Sequence, residues 1–318
     1  MTQKPILILA TLALLAGGCR TGVKSRAEPL IPAKKTFKLP EIPSLIWADS
    51  SRKAYLVEHF WTEFDFGDRT RAVTGGETGQ IFSGFATLLT QVPSGPARTG
   101  VRKMMHAAGT DSLMVACFMD LCETYFYDPN SQLRNELLFA EALKAALTSD
   151  KVDQTVKTRY RYLLDMCSKN RPETRAADFS YTTASGKKSR MQAIRSPYLL
   201  LYFNNPGCHA CETVKNTLAA SPIITRLLQS GTLKILSVYP DEDLTEWQAA
   251  APDLPASWIN ACDKGGMIRK GELYDLKAIP TLYLLDENKV VILKDASAQA
   301  VEDYLINHDD KLARTKTN

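Results

Sequence analysis

One short stretch constrains the fold more than any other. Tyr198 to Phe203 is a dense apolar run, and Cys208-His209-Ala210-Cys211 follows it closely. Unbroken apolar residues of this length read as a strand buried on both faces. Two cysteines spaced C-x-x-C, on the loop that leads from such a strand into a helix, read as a redox pair. At the first turn of a helix, free backbone N–H groups and the helix dipole favour a thiolate. Lowering a cysteine from about 8.5 to about 7 corresponds to roughly 2 kcal/mol in favour of that thiolate. Cys208 is therefore expected to be exposed and nucleophilic. Cys211, one turn further in, is expected to be more buried and to resolve the mixed disulfide. A purely structural bridge and half of a zinc site are the competing readings. Zinc would need a second pair of ligands, and Cys262 stands alone. No metal site and no organic cofactor is expected.

The surrounding residues extend this into an α/β pattern. Phe179 to Thr183 alternates like a strand and runs into Ser185-Gly186, a turn signal. Ser221-Pro222 starts a helix after the one that carries Cys211, and Gly231 stops it. Leu233 to Tyr239 reads as a second strand. Ile279-Pro280-Thr281-Leu282 enters a third, where a proline at the first position removes no needed donor. Thr281 to Leu285 and Val290 to Leu293 flank Asp286-Glu287-Asn288-Lys289 as a hairpin, and Ser297 to Ile306 closes with a helix.

Residues 45–170 read differently. Ser50 or Ser51 is placed to cap a first helix carrying Tyr55, Leu56, His59 and Phe60. Thr74-Gly75-Gly76 breaks the chain, and Ile81 to Leu89 and Val101 to Ala108 are shorter helix candidates. Met114, Phe118, Leu121, Cys122 and Tyr125 follow 3.6-residue spacing, as do the stripes Leu133, Leu137, Leu143, Leu147 and Val152, Val156, Tyr160, Leu163, Leu164, Cys167. Short turns between them predict an antiparallel helical array, closed by Asn170-Arg171-Pro172. The expected fold class is α plus α/β: an all-helical domain over 45–170, then an α/β domain over 175–312.

The start of the chain carries a targeting pattern. Lys4 precedes the largely apolar run Ile6 to Ala16, too short for a bilayer core but suited to a signal peptide. Leu15-Ala16-Gly17-Gly18-Cys19 resembles a bacterial lipobox, which implies that residues 1–19 are a lipoprotein signal and Cys19 is lipidated. Ala16 stands where a lipobox usually has Leu. Residues 20–44, polar with several Lys and Pro, read as a linker off the membrane. With no Asp after Cys19, the expected location is the periplasm, on the inner leaflet of the outer membrane.

C-x-x-C after a buried strand, followed by Ile279-Pro280-Thr281 before a hairpin, resembles the thioredoxin superfamily. The leading Phe179 to Gly186 hairpin makes the match most similar to the TlpA-like, membrane-tethered thiol:disulfide oxidoreductases. The resemblance spans about residues 175–310. It implies that Cys208 and Cys211 are catalytic, with His209 and Ala210 as the motif's variable pair. It also implies that Pro280 is cis and that Ile279, Pro280 and Thr281 bind the substrate peptide as an added strand. The implied partners are periplasmic proteins with disulfides and an inner-membrane thiol electron donor, and Ile before the proline leans toward a reductase. Two departures stand out. Tyr202 occupies the place of an acid that serves the buried thiol in thioredoxin, and Gly207 that of a Trp. Glu212, Asp286 or water is left to handle the proton. The whole chain is also similar to bacterial lipoproteins with an uncharacterised helical domain ahead of a TlpA-like one. The resemblance rests on His59-Phe60-Trp61, Tyr125-Phe126-Tyr127-Asp128-Pro129-Asn130, Asn170-Arg171-Pro172 and Leu282-Tyr283-Leu284-Leu285-Asp286.

The remaining features point elsewhere than to chemistry. Cys117 and Cys122 lie about 140° apart round a helix and are not expected to bridge each other. They, Cys167 and Cys262 read as buried thiols, with a bridge from Cys167 to one of the first two left open. His59, His106 and His308 show no metal spacing, and Phe60, Trp61, Phe64 and Phe66 read as core. A net charge of +4 over 318 residues gives no case for nucleic acid. Two alternatives to a reductase stay open: a disulfide oxidase or isomerase, and a non-enzymatic scaffold whose helical domain binds a partner.

Overall fold

The computed structural model describes residues 37–241 and 243–315, with side chains to residue 308. Cys19 and the rest of the signal and lipobox pattern lie outside the described residues.

The helical stretch contains α1 (Asp49–His59), α2 (Gly76–Leu89), α3 (Ser94–Ala108), α4 (Ser112–Phe126), α5 (Glu136–Thr148) and α6 (Gln154–Ser168). Apolar residues at helical spacing bring these together as an array in which α3 packs against α1 and α5, and α5 against α4 and α6. Asp111, Asn135 and Asp153 cap α4, α5 and α6 by accepting backbone N–H bonds. The first helix departs from the sequence reading. Ser50 and Ser51 lie inside it, and Ala48 holds the cap position without a side-chain bond. In α5 the buried stripe is Leu138, Phe139, Ala142, Leu143 and Ala146. Of the leucines expected there, Leu143 is buried, whereas Leu137 is 48% exposed and its place in the core is taken by Leu138. The aromatic group expected as core is core: Trp61 meets Phe64, Phe85 and Phe118 edge-on, with ring centroids 5.0–5.4 Å apart.

The sheet begins with β1 (Ser180–Thr183) and β2 (Lys188–Arg190), turning at Gly186 with φ +82°. It continues through β3 (Tyr198–Phe203), α7 (His209–Ala220), α8 (Pro222–Gln229), β4 (Leu233–Tyr239), α9 (Leu244–Ala250), β5 (Ile259–Cys262) and α10 (Met267–Lys270). β6 (Thr281–Leu285), β7 (Val291–Lys294) and α11 (Ala298–Thr315) complete it. Among the described residues seven strands form one mixed sheet in the order β2-β1-β5-β4-β3-β6-β7. β3 runs parallel to β4 and antiparallel to β6, so it is an interior strand paired on both sides. Leu199, Leu201 and Phe203 face one core layer, and Leu200 and Tyr202 face the other, where α7, α8 and α11 pack. The α9, β5 and α10 elements were not legible in the sequence. The connector residues Glu173 to Ala176 lie along the outer edge of β7: Glu173 N–H donates to Val291 O, and Val291 N–H to Thr174 O, both at 2.8 Å.

Helical array and α/β sheet both fall within one compact unit that starts at Lys38. Among the described residues no helix is long and apolar enough to cross a membrane.

Candidate active site

The site is built where β3 stops. Asn204 N–H still donates to Val238 O, and the Asn204 amide bonds Tyr202 O and Ser237 Oγ, so the ladder is held to its last residue. Asn205 then donates to Asp241 at 2.6 Å. Gly207 adopts φ +68°, a left-handed turn that L side chains rarely take. That turn delivers Cys208 to the cap position of α7, where its Sγ accepts the Cys211 N–H at 3.2 Å. The Gly at 207, which replaces the family's Trp, is thus set by backbone geometry.

Cys208 and Cys211 are joined as a disulfide, with Cα atoms 5.2 Å apart. Cys208 is half-buried and Cys211 is 3% exposed, the asymmetry an attacking and a resolving sulfur require. His209 and Ala210 are exposed on the first turn. The loop before β6 comes down beside the pair. The Ile279–Pro280 peptide is cis, and Ile279 O lies 3.7 Å from Cys208 Sγ. In the disulfide that sulfur has no proton, so this is a contact; only the reduced thiol would donate to the carbonyl. Ile279 and Pro280 remain part-exposed, whereas Thr281 is buried and its hydroxyl donates back to Ala278 O at 2.6 Å. Thr281 therefore shapes the turn from within.

A small cavity of about 90 Å³ opens behind the disulfide, lined by Tyr202, Asn205, Cys211, Lys215, Trp247 and Leu254 among others. It has room for water. Tyr202 is buried and donates to Cys211 O at 2.7 Å, and burial pushes its phenol further above the ordinary range, with the Glu212 charge adding to this. It cannot stand in for a carboxylate. Glu212 is exposed and bonded to Lys215 at 2.9 Å, which holds its carboxyl below the usual range. Asp286 sits at the far end of β6, where it accepts the Asn288 and Val290 N–H groups at 2.8 Å. Of the three proton-handling candidates, Asp286 is therefore remote from the cysteines.

The other thiols are dispersed. Cys117, Cys122, Cys167 and Cys262 are buried and unbridged. Burial pushes Cys117 up to about 11 and Cys167 to about 12, and raises Cys122 and Cys262 as well. Cys262 packs with Tyr239 and Trp247, away from any second ligand pair. Among the described residues no three His, Cys, Asp or Glu side chains are grouped to hold a metal ion.

One feature of the site gave no sequence signal. Lys277, three residues before Pro280, is buried among Asp275, Asp295 and Glu136. Glu136 belongs to the helical array, 141 positions away. An acidic residue opening α5 reads in sequence as a helix-dipole preference and no more.

Residues 18–170 match the family described as a domain of unknown function, DUF5106. No curated protein matches the chain. A thioredoxin-like protein from Bacteroides caccae is 41% identical, over 86% of this chain and 99% of that one, with a TM-score of 0.83. The C-terminal domain of an uncharacterized protein from Bacteroides fragilis is 50% identical over 44% of this chain and 99% of its own, at a TM-score of 0.43. The thioredoxin domain of a thiol-disulfide oxidoreductase from Bacteroides vulgatus is 18% identical over 42% of this chain and 98% of its own, at a TM-score of 0.38. With a helical region that matches the DUF5106 model leading into a sheet that presents a C-x-x-C disulfide at a helix start, and with a solved thioredoxin-like relative matching across both parts, the chain belongs to the thioredoxin-like proteins.

Proposed function

We propose that the protein catalyses thiol–disulfide exchange on protein substrates, in the reducing direction. One observation carries the reading: a disulfide whose outer sulfur caps a 12-residue helix and touches the carbonyl that precedes a cis-proline. The reduced Cys208 thiolate would attack one sulfur of a substrate disulfide. A Cys208–substrate disulfide forms, the substrate S–S bond breaks, and the departing thiolate takes up a proton. Cys211, losing its proton to cavity water, then attacks Cys208 Sγ. This releases the second substrate thiol and leaves the Cys208–Cys211 disulfide. The substrate gains two electrons and two protons, and a dithiol donor must supply the same to restore the enzyme. The Ile279 backbone, part-exposed beside the sulfur, is positioned to pair with the substrate chain as an added strand.

The same reading includes tethering through a lipidated Cys19 to the periplasmic face of the outer membrane, and re-reduction by an inner-membrane thiol donor. The support for these is the lipobox-like sequence and the family resemblance.

The test is insulin reduction by the mature protein. Cys208→Ser is expected to abolish it, and Cys211→Ser to accumulate a mixed disulfide on Cys208. A reductase should equilibrate nearer about −270 mV than about −120 mV. Full insulin reduction by Cys208→Ser would refute the exchange reading, and a potential near the upper value would reverse its direction.

A further inference from the structure

The segment that ends in the cis-proline is pinned at successive points, three of them by side chains of the helical region, Tyr127, Glu136 and Asn170. Asn170 donates to Leu273 O at 2.8 Å. Tyr274 OH donates to Ala177 O at 2.6 Å. Tyr127 OH donates to Asp275 Oδ2 at 2.9 Å. Lys277 Nζ reaches Glu136 at 2.5 Å, Asp275 at 2.9 Å and Asp295 at 3.0 Å, so all three of its donors are used. It also lies 4.7 Å from the Tyr127 ring centre. Glu136 is held from its other oxygen by Lys294 at 2.7 Å, and Lys294 donates to Lys169 O at 2.8 Å. The Lys277 side chain is 9% exposed.

The consequence is positional. Residues 273–277 are fixed at successive points, and Thr281 is fixed in the β3–β6 ladder. Between these anchors only Ala278, Ile279 and Pro280 span the gap, and Ile279 is the residue whose carbonyl faces Cys208. Tyr127, Glu136 and Asn170 all lie before the first strand. A spacer or a separate docking module would have no need to place them there. The chemistry of the cluster also matters. An ammonium with three anionic acceptors in a closed site has one arrangement that satisfies it, whereas apolar contacts allow several.

We propose that Lys277 is a positioning residue, clamped by Glu136 and Asp275, through which the DUF5106 helical region sets the peptide-binding edge at Ile279–Pro280 against Cys208. This rests on the exchange reading for its kinetic consequence, and on geometry alone for its structural one.

The experiment uses the full mature chain with Glu136→Gln, Lys277→Met and the milder Tyr127→Phe. Four quantities are compared with the parent protein: KM and kcat for a disulfide-containing peptide, the rate of reduced Cys208 with a small aromatic disulfide, and deuterium uptake over residues 276–282. Glu136→Gln and Lys277→Met are expected to raise KM about tenfold, since misplacing a binding group by about 1 Å can cost up to about a hundredfold. The small-disulfide rate should change far less, because that reagent needs no peptide edge. Deuterium uptake should rise over 276–282 and stay level in β3 and β4. Tyr127→Phe should follow in the same direction by a smaller factor, and it decides the matter if Lys277→Met does not fold. Unchanged KM with unchanged uptake overturns the proposal. So does a loss spread evenly over KM, kcat, the small-disulfide rate and all strands, which is the mark of general destabilisation. If the parent protein exchanges no disulfide at all, the exchange reading fails, and the uptake pattern alone decides for or against the clamp.

Discussion

Cys208 Sγ lies 3.7 Å from Ile279 O and receives the Cys211 N–H at 3.2 Å, so the outer sulfur has one neighbour that favours its anion and one that does not. The amide and the α7 dipole stabilise a thiolate, while the carbonyl oxygen would repel it unless a substrate amide comes between.

On this basis the reduced protein should show one fast thiol. Alkylation of Cys208 is expected to reach half its limiting rate below pH 8.5, the approximate midpoint for an unperturbed cysteine. Cys117, Cys122, Cys167 and Cys262 are buried and shifted the other way, so they should stay unlabelled until the protein is denatured. Mass-resolved labelling across a pH series checks both parts. Early labelling of any of those four would contradict the burial described.

Gly207 offers a backbone test. At φ +68° a Cβ is strained, yet the nearest atom it would meet is Glu246 Oε1 at 4.0 Å. Gly207→Ala should therefore cost about 1–2 kcal/mol through conformation alone. Gly207→Trp should not recover the family's usual geometry. Denaturant midpoints and the Cys208 alkylation rate read the two effects separately.

Gly100 offers the opposite case, a position limited by space. A Cβ there would fall 2.7 Å from Val57 Cγ1 and 2.8 Å from Val57 O, where α3 meets α1. Gly100→Ala is expected to destabilise by about 1–3 kcal/mol despite its better helix propensity. Pairing it with Val57→Ala should recover part of the side-chain clash but none of the backbone clash. Thermal unfolding of the single and double variants measures this.

Glu141 links stability to pH. Burial works to raise its carboxyl, but bonds from Arg98 at 2.8 Å and Lys144 at 3.2 Å outweigh it and hold the group below its usual range. The unfolded chain therefore binds the proton more readily than the folded one. The stabilisation from Glu141 is complete above the unfolded pKa and is lost as pH falls through the folded one. Glu141→Gln should cost about 1 kcal/mol at neutral pH, because its cationic partners are half-exposed. It should also flatten the acid limb of the stability curve. An unchanged acid limb would show that other carboxylates dominate it.

What could be read in advance depended on the range of the interaction. β3, β4 and β6 have the bounds read from their apolar runs, since a fully buried strand needs no partner to be recognised. α2 starts before the apolar run Ile81 to Leu89, because Gly76 opens the helix instead of ending the break before it. α9 and β5 carry no such signal, because each is short and takes its place from Trp247 and Asn260, which bond each other at 3.1 Å across sequence. In the site, the cysteines announce themselves through local spacing. The Lys277 clamp does not, because an isolated Lys, Glu or Asp is ordinary in sequence and only the fold brings oppositely charged residues into one closed space.

The connector along β7 carries a practical lesson for anyone dissecting this chain. Excising the sheet at residue 177 would strip the outer rim of its hydrogen-bonded cover and leave a bare row of donors and acceptors, a template for sticking to another copy. A fragment begun near residue 170 keeps that seam closed. The boundary that separates helices from strands on paper is therefore not the place to cut.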